Sequence, residues 1–166
     1  MNLEHKPILA VDPGTLESGY CALLGGKVVA AGVIGNAELL PYLQRAHFRL
    51  GEYTLSLEMV ASYGMPVGRE VFETVRWIGR FQQAWHDPEA VRLVYRQDVK
   101  SHLCHSSKAK DSNVRQAVLD RFEPTGGGKT PQVGTKKKPG PLYGVSSHAI
   151  SALAVAIYSL EVVNEH

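Results

Sequence analysis

At 166 residues, with 44% hydrophobic and 20% charged residues, the chain has the size and balance of one soluble globular domain with a full core, residues 1–166 forming a single unit. No apolar run approaches the roughly 20 residues of a membrane span, and Met1-Asn2-Leu3-Glu4-His5-Lys6 lacks the apolar stretch of a secretory leader, so no membrane partner is expected. Two distant cysteines, Cys21 and Cys104, suit a reduced, cytoplasmic protein, and a net charge of +2 does not by itself announce a nucleic-acid partner.

The apolar run 7–11 reads as a strand that ends in the turn Asp12-Pro13-Gly14. Residues 19–24 and 27–34 read as two further strands joined by Gly25-Gly26, completing an antiparallel meander. Asn36 is placed to cap a helix through about residue 50, with Leu39, Leu40, Leu43 and Phe48 as its apolar positions. Residues 53–60 alternate as a strand, with Leu55, Leu57 and Met59 on one face and Thr54, Ser56 and Glu58 on the other. A turn-rich loop at 63–68 leads into a long helix at 69–85 carrying Phe72, Val75, Ile78 and Phe81. A strand at 91–95, a short helix at 98–104 and a helix from Asp111 or Ser112 to Phe122 follow.

Residues 124–144 are rich in glycine and proline and read as a long flexible loop or flap, a length that usually signals function or disorder. From Pro124 to Leu160 there is no Asp or Glu, while Lys129, Lys136, Lys137 and Lys138 all fall there. This local basic excess suits an anionic partner, although a solvated loop would look the same. Ser146 or Ser147 is placed to cap a last helix running to about residue 163. Strands first and helices after the later strands make this one α/β domain with a mixed sheet.

Three places carry candidate chemistry. Asp12 stands where the first strand ends, the edge at which open α/β sheets bind ligands, although Asp-Pro-Gly also simply makes turns. Glu58 lies near the end of an otherwise apolar strand, and carboxylates are seldom buried unless paired or bound to metal. If those strands are neighbours, the two carboxyls repel each other and a divalent cation relieves the cost. His148 and Ser151 stand three apart at the start of the last helix, hence on one face. Two other patterns carry nothing. Gly128-Lys129-Thr130 has Glu123 where a phosphate loop needs glycine, so no nucleotide partner is expected. His102-Leu103-Cys104-His105 has no second cluster to close a zinc site.

The run Ile8-Leu9-Ala10-Val11-Asp12-Pro13-Gly14-Thr15 followed by Ser18-Gly19-Tyr20, then Leu57-Glu58, then His148 with Ala152 to Ala156, resembles the RuvC-type Holliday junction resolvases. Residues 136–144 resemble the short, phage-type members, which implies a cytoplasmic protein of a bacterial cell or its phage. The resemblance implies a ribonuclease H-like fold, a five-stranded mixed sheet of three antiparallel and two parallel strands flanked by helices. It implies a homodimer, built through the 69–85 helix with Trp77 and Trp85, that nicks opposed strands of a four-way DNA junction. It also implies two Mg2+ or Mn2+ ions per site, held by Asp12, Glu58 and residues of the last helix such as His148. Many members carry acids at the positions of His148 and Ser151, others a histidine at the first; here neither is acidic, so Asp111 is a candidate to reach in. With fewer charges and an imidazole in the set, higher activity is expected with Mn2+ than with Mg2+.

By the same resemblance Lys100, Lys108 and Lys110 would contact DNA near the cleaved phosphate, with Lys129 and Lys136 to Lys138 neutralising backbone. Tyr63 and Met65, in the loop after the Glu58 strand, would wedge into the junction centre, or Tyr63 anchors the loop. Two rival readings stand beside the nuclease. One is a junction-binding protein of the same fold without catalysis. The other is an actin-like ATPase lobe, whose phosphate hairpin also matches Asp12, Gly14, Thr15, Ser18 and Gly19 but which needs two lobes to enclose ATP.

Overall fold

The computed structural model describes residues 6–46 and 52–163. Strands β1 (Ile8–Asp12), β2 (Glu17–Leu24) and β3 (Lys27–Gly35) form the antiparallel meander. Gly25 and Gly26 turn the β2–β3 hairpin with φ of 57° and 76°, a region closed to most side chains. Helix α1 (Asn36–Arg45) leads to β4 (Thr54–Met59), which lies parallel to β1, and α2 (Arg69–Ala84) leads to β5 (Arg92–Tyr95), parallel to β4. Helices α3 (Arg96–Cys104), α4 (Asp111–Leu119) and α5 (Ser147–Val163) complete the chain. The sheet order is β3-β2-β1-β4-β5, with three antiparallel and two parallel strands as expected.

Side-chain alternation in β1 and β4 divides the core into two layers. Leu9, Val11, Leu55 and Leu57 face α1 and α2, meeting Leu39, Leu43, Ile78 and Phe81. Ile8 and Ala10 face the other way, toward Ala152, Leu153 and Ala156 of α5. Both faces of these central strands are therefore covered, which is why β1 reads as a continuous apolar run and why even Ser56 of β4 is buried. From Ala149 to Ile157 only Ser151 escapes full burial, so α5 is the central helix of its layer. Its alanines let it lie close to the sheet. At Gly19 a Cβ would stand 2.4 Å from the His148 carbonyl oxygen, so glycine there is what admits the start of α5.

Several local expectations change. Asn36 does not cap α1: it is buried, donates from Nδ2 to the Gly14 carbonyl (2.9 Å) and accepts the Ser18 hydroxyl (2.6 Å), while the Ser18 oxygen accepts the Gly14 N–H (3.3 Å). These bonds lock the turn after Asp12. The α1 helix ends at Arg45, and the expected continuation through Phe48 to residue 50 lies outside the described residues. At the start of α4, Lys110 is the cap position and its N–H donates to Asn113 Oδ1 at 3.0 Å, replacing Asp111 or Ser112 in that role. That helix stops at Leu119, short of Phe122.

Residues 124–144, expected as a flap, have a backbone network of their own. Gly126 N–H donates to Pro131 O, Gly127 to Lys138 O, Gly140 to Val133 O and Leu142 to Gln132 O. Leu142 is fully buried against the α5 layer. On α2, Phe72 is exposed rather than in the core, and Trp85 just beyond the helix is buried within this chain, whereas Trp77 is half-buried under the Arg80 guanidinium. Among the described residues no helix is long and apolar enough to cross a membrane.

Candidate active site at the ends of the central strands

The register Val11↔Leu57 between β1 and β4 sends the next residue of each, Asp12 and Glu58, out side by side at the same sheet edge. Both lie on the α5 side, because they alternate with Val11 and Leu57, which face α1 and α2. The layer assignment has an independent marker two residues earlier in β4, where Ser56 accepts the Ser159 hydroxyl of α5 at 2.8 Å. Glu58 is 6% exposed and Asp12 is half-buried.

Burial raises the Asp12 pKa first of all, and the neighbouring Glu58 carboxyl raises it further, to about 8, against an opposing pull from Arg96. Asp12 therefore holds its proton near neutral pH in the metal-free protein. Glu58 Oε1 accepts Arg96 Nη1 at 2.9 Å, while Glu58 Oε2 is buried with no hydrogen-bond partner among the described residues. Unpartnered buried carboxylate oxygen is costly, and a bound cation is one way to satisfy it.

Arg96 opens α3 one residue beyond the end of β5, the strand beside β4. Its guanidinium forks, Nη2 reaching Asp111 Oδ1 at 2.7 Å. Asp111 is an exposed side chain whose carboxyl is held below its ordinary range by that bond, and Lys100 Nζ stands 3.8 Å from the same oxygen. Asp111 thus reaches the site through Arg96 and Lys100.

His148 is exposed at the second position of α5 and borders two clefts. One, of about 560 Å3, also has Asp12, Gly14, Thr15 and Glu17 in its wall. The other, of about 330 Å3, has Arg96, Asp111, Arg115 and Ser151. Ser146 caps this helix, its hydroxyl accepting the Ala149 N–H at 3.3 Å. Ser151 is half-buried and shares a small cavity with Glu58, Arg96 and Lys100.

The structure thus brings Asp12 and Glu58 together and sets His148 on the same cleft as Asp12. Among the described residues no three His, Cys, Asp or Glu side chains converge as a metal cage, so the ligand set Asp12, Glu58 and His148 is not assembled as one cluster. The carboxyl pair alone fits one hard cation, offering oxygen ligands of which Glu58 Oε2 is unpartnered, with Asp12 in the wall of an open cleft. His102 bonds Glu161 at 2.6 Å, a structural pair that leaves the zinc reading without support.

The remaining expected contacts lie outside the carboxyl pair. Lys108 and Lys110 are exposed before α4, and Lys129, Lys136, Lys137 and Lys138 are exposed on the 124–144 loop. Tyr63 (53% exposed) and Met65 (70% exposed) project from the β4–α2 loop, Tyr63 with φ of 48°. Arg96 was not anticipated. The logic that picks out Asp12, a charged residue where a strand ends, applies equally to Arg96, directly after β5.

No family model matches the chain, and no curated protein sequence matches it. Among solved structures, Thermus thermophilus RuvC superposes with a TM-score of 0.66 over 96% of this chain and 96% of that one, at 15% sequence identity. The fold is that of RuvC. A second structure, T. thermophilus RuvC in complex with a Holliday junction substrate, matches with a TM-score of 0.67 over 97% of each chain at 17% identity. The five-stranded sheet and flanking helices described above are therefore the RuvC-type, ribonuclease H-like architecture.

Proposed function

We propose that this chain is a metal-dependent endonuclease that resolves four-way and related branched DNA by paired nicks, working as a homodimer. The observation that carries the proposal is the desolvated Asp12–Glu58 pair at the ends of two central strands, in a fold shared along its whole length with RuvC. Such a pair is unfavourable in a metal-free protein and becomes favourable around a divalent cation. A bound Mg2+ or Mn2+ supplies Lewis-acid chemistry and a water of lowered pKa. Asp12 gives up its proton to join Glu58 as an oxygen ligand. His148, exposed at the cleft mouth, presents an imidazole nitrogen to the attacking water or to the scissile phosphate. Ser151, set back beside Glu58, has no more than a hydrogen-bonding part.

DNA recognition divides by chemistry. Lys100, Lys108 and Lys110 on one side, with Lys129 and Lys136 to Lys138 on the loop, neutralise phosphates without reading sequence. Tyr63 and Met65 supply exposed aromatic and apolar surface that stacks on bases freed at the junction centre. Two observations favour a second reading, binding without cleavage: Glu58 is already paired with Arg96, and among the described residues no three-ligand cage converges. Incubation with a labelled four-way junction and a matched linear duplex, in Mn2+ or in EDTA, separates the two. Metal-dependent cutting confined to the junction supports the nuclease. Tight junction binding with no cutting in any divalent metal supports the binding protein.

A further inference from the structure

We propose that the Arg96 guanidinium is a built-in cation of the active site, bridging Glu58 and Asp111 in place of a second metal ion, so that each chain takes up one divalent ion. The inference rests on the reading of Asp12 and Glu58 as metal ligands and specifies how many ions that site accepts.

Three observations carry it. First, Arg96 bridges two carboxylates as a metal does, Nη1 to Glu58 Oε1 at 2.9 Å and Nη2 to Asp111 Oδ1 at 2.7 Å. A carboxylate shared between two ions commonly gives one oxygen to each. One Glu58 oxygen is taken by Arg96, and only Oε2 remains free of partners, enough for a single ion held jointly with Asp12. Second, there is little room between Arg96 and Glu58. The cavity bounded by Glu58, Arg96, Lys100 and Ser151 measures about 20 Å3, the space of one water, whereas a hard divalent ion gathers about six oxygen ligands around it. The larger cleft that Arg96 borders, of about 330 Å3, has Asp111 in its wall but not Glu58, so an ion there would not share the Glu58 carboxylate. Third, Lys100 Nζ at 3.8 Å from Asp111 adds a second fixed positive charge on that side, which repels a further dication.

A guanidinium is a suitable substitute for one of the two jobs of a metal pair. It is permanently charged and offers a rigid fork of N–H donors that matches carboxylate and phosphate oxygens. It cannot activate a water, so that job stays with the Asp12 side. In the apo chain Arg96 is a positioning residue that holds Glu58 by one oxygen and draws Asp111 to the site.

The test counts bound Mn2+ per chain by electron paramagnetic resonance, for the full-length protein alone and saturated with a four-way junction. The Asp12→Asn/Glu58→Gln double variant on the same junction serves as the blank for ions held by DNA. The expected result is one ion per wild-type chain in both states, one for Arg96→Lys, and two for Arg96→Gln, in which the Glu58 oxygen and the guanidinium volume are released. Two ions above the blank in the wild type would overturn the inference while leaving the metal-dependent nuclease intact. An Arg96→Gln protein that retains the wild-type circular dichroism and melting temperature yet still binds one ion would also overturn it. No ion above the blank would remove both the inference and the reading beneath it. The wild-type count stands whether or not the Arg96 variants fold.

Discussion

Replacing Asp12 by asparagine should stabilise the metal-free protein at alkaline pH while abolishing its chemistry. The folded Asp12 carboxyl has its pKa raised from 3.8 to about 8, by burial first and then by Glu58. The folded state therefore binds this proton more tightly than the unfolded state. Below about pH 4 both states are protonated and no penalty exists. The penalty then grows as pH rises and is complete above about pH 8. At 1.36 kcal/mol per unit the full shift corresponds to about 6 kcal/mol. Glu58 and Arg96 adjust when Asp12 ionises, so a recovery of about 1–3 kcal/mol in Asp12→Asn is the working expectation. For a domain of this size that is a rise in melting temperature of roughly 3–10 °C. Thermal unfolding in EDTA, at steps between about pH 5 and pH 9, measures it. The gap between variant and wild type should be small at the acid end and widen with pH. Parallel curves, or a variant less stable throughout, would refute the argument that this carboxyl is held in an unfavourable, desolvated pair.

Four further outcomes are expected. Glu58→Gln should lower junction cleavage at least about 100-fold with junction affinity nearly unchanged, read by single-turnover cleavage beside a mobility-shift titration. At matched saturation of each metal, cleavage should be faster with Mn2+ than with Mg2+, and equal rates would remove the case for an imidazole at the site. Converting Lys136, Lys137 and Lys138 together to alanine should reduce the slope of log affinity against log salt by up to about 3, measured on junction and duplex alike. Gly19→Ala should cost about 1–3 kcal/mol in denaturant unfolding, because the added methyl meets the His148 carbonyl oxygen and pushes the start of α5 off the sheet.

Much of the site was legible in the chain because its signals are local. Asp12 and Glu58 announce themselves as acids at the ends of apolar runs, and a strand-end acid is expensive unless it works. The pairing of β1 with β4 then follows once the meander is recognised, since the next long apolar strand must lie beside β1 to be covered on both faces. What was not legible depends on partners far apart in sequence. Asn36 looks like a helix cap, yet its side chain is committed to Ser18 and Gly14, eighteen and twenty-two positions earlier. Arg96 looks like a surface residue opening a helix, and only the β4–β5 register puts it against Glu58. The glycine- and proline-rich stretch at 124–144 has the composition of a flap, but turn residues also permit the tight backbone bonds it makes, and Leu142 is what ties it to the core. On α2 the helical period identifies one apolar stripe. It does not reveal that Phe72, in the first turn of α2, stays exposed.

The central claim is that Asp12 and Glu58 form the metal-dependent centre of a junction-resolving nuclease, and mapping nicks at nucleotide resolution tests it most directly. A four-way junction labelled on each strand in turn would be incubated with Mn2+ and the wild type, Asp12→Asn or Glu58→Gln protein. The account predicts nicks at symmetry-related positions on two opposed strands with the wild type, none in EDTA, and none above background with either variant. Cleavage that persists in both variants, or nicks scattered equally over junction and linear duplex, would contradict it.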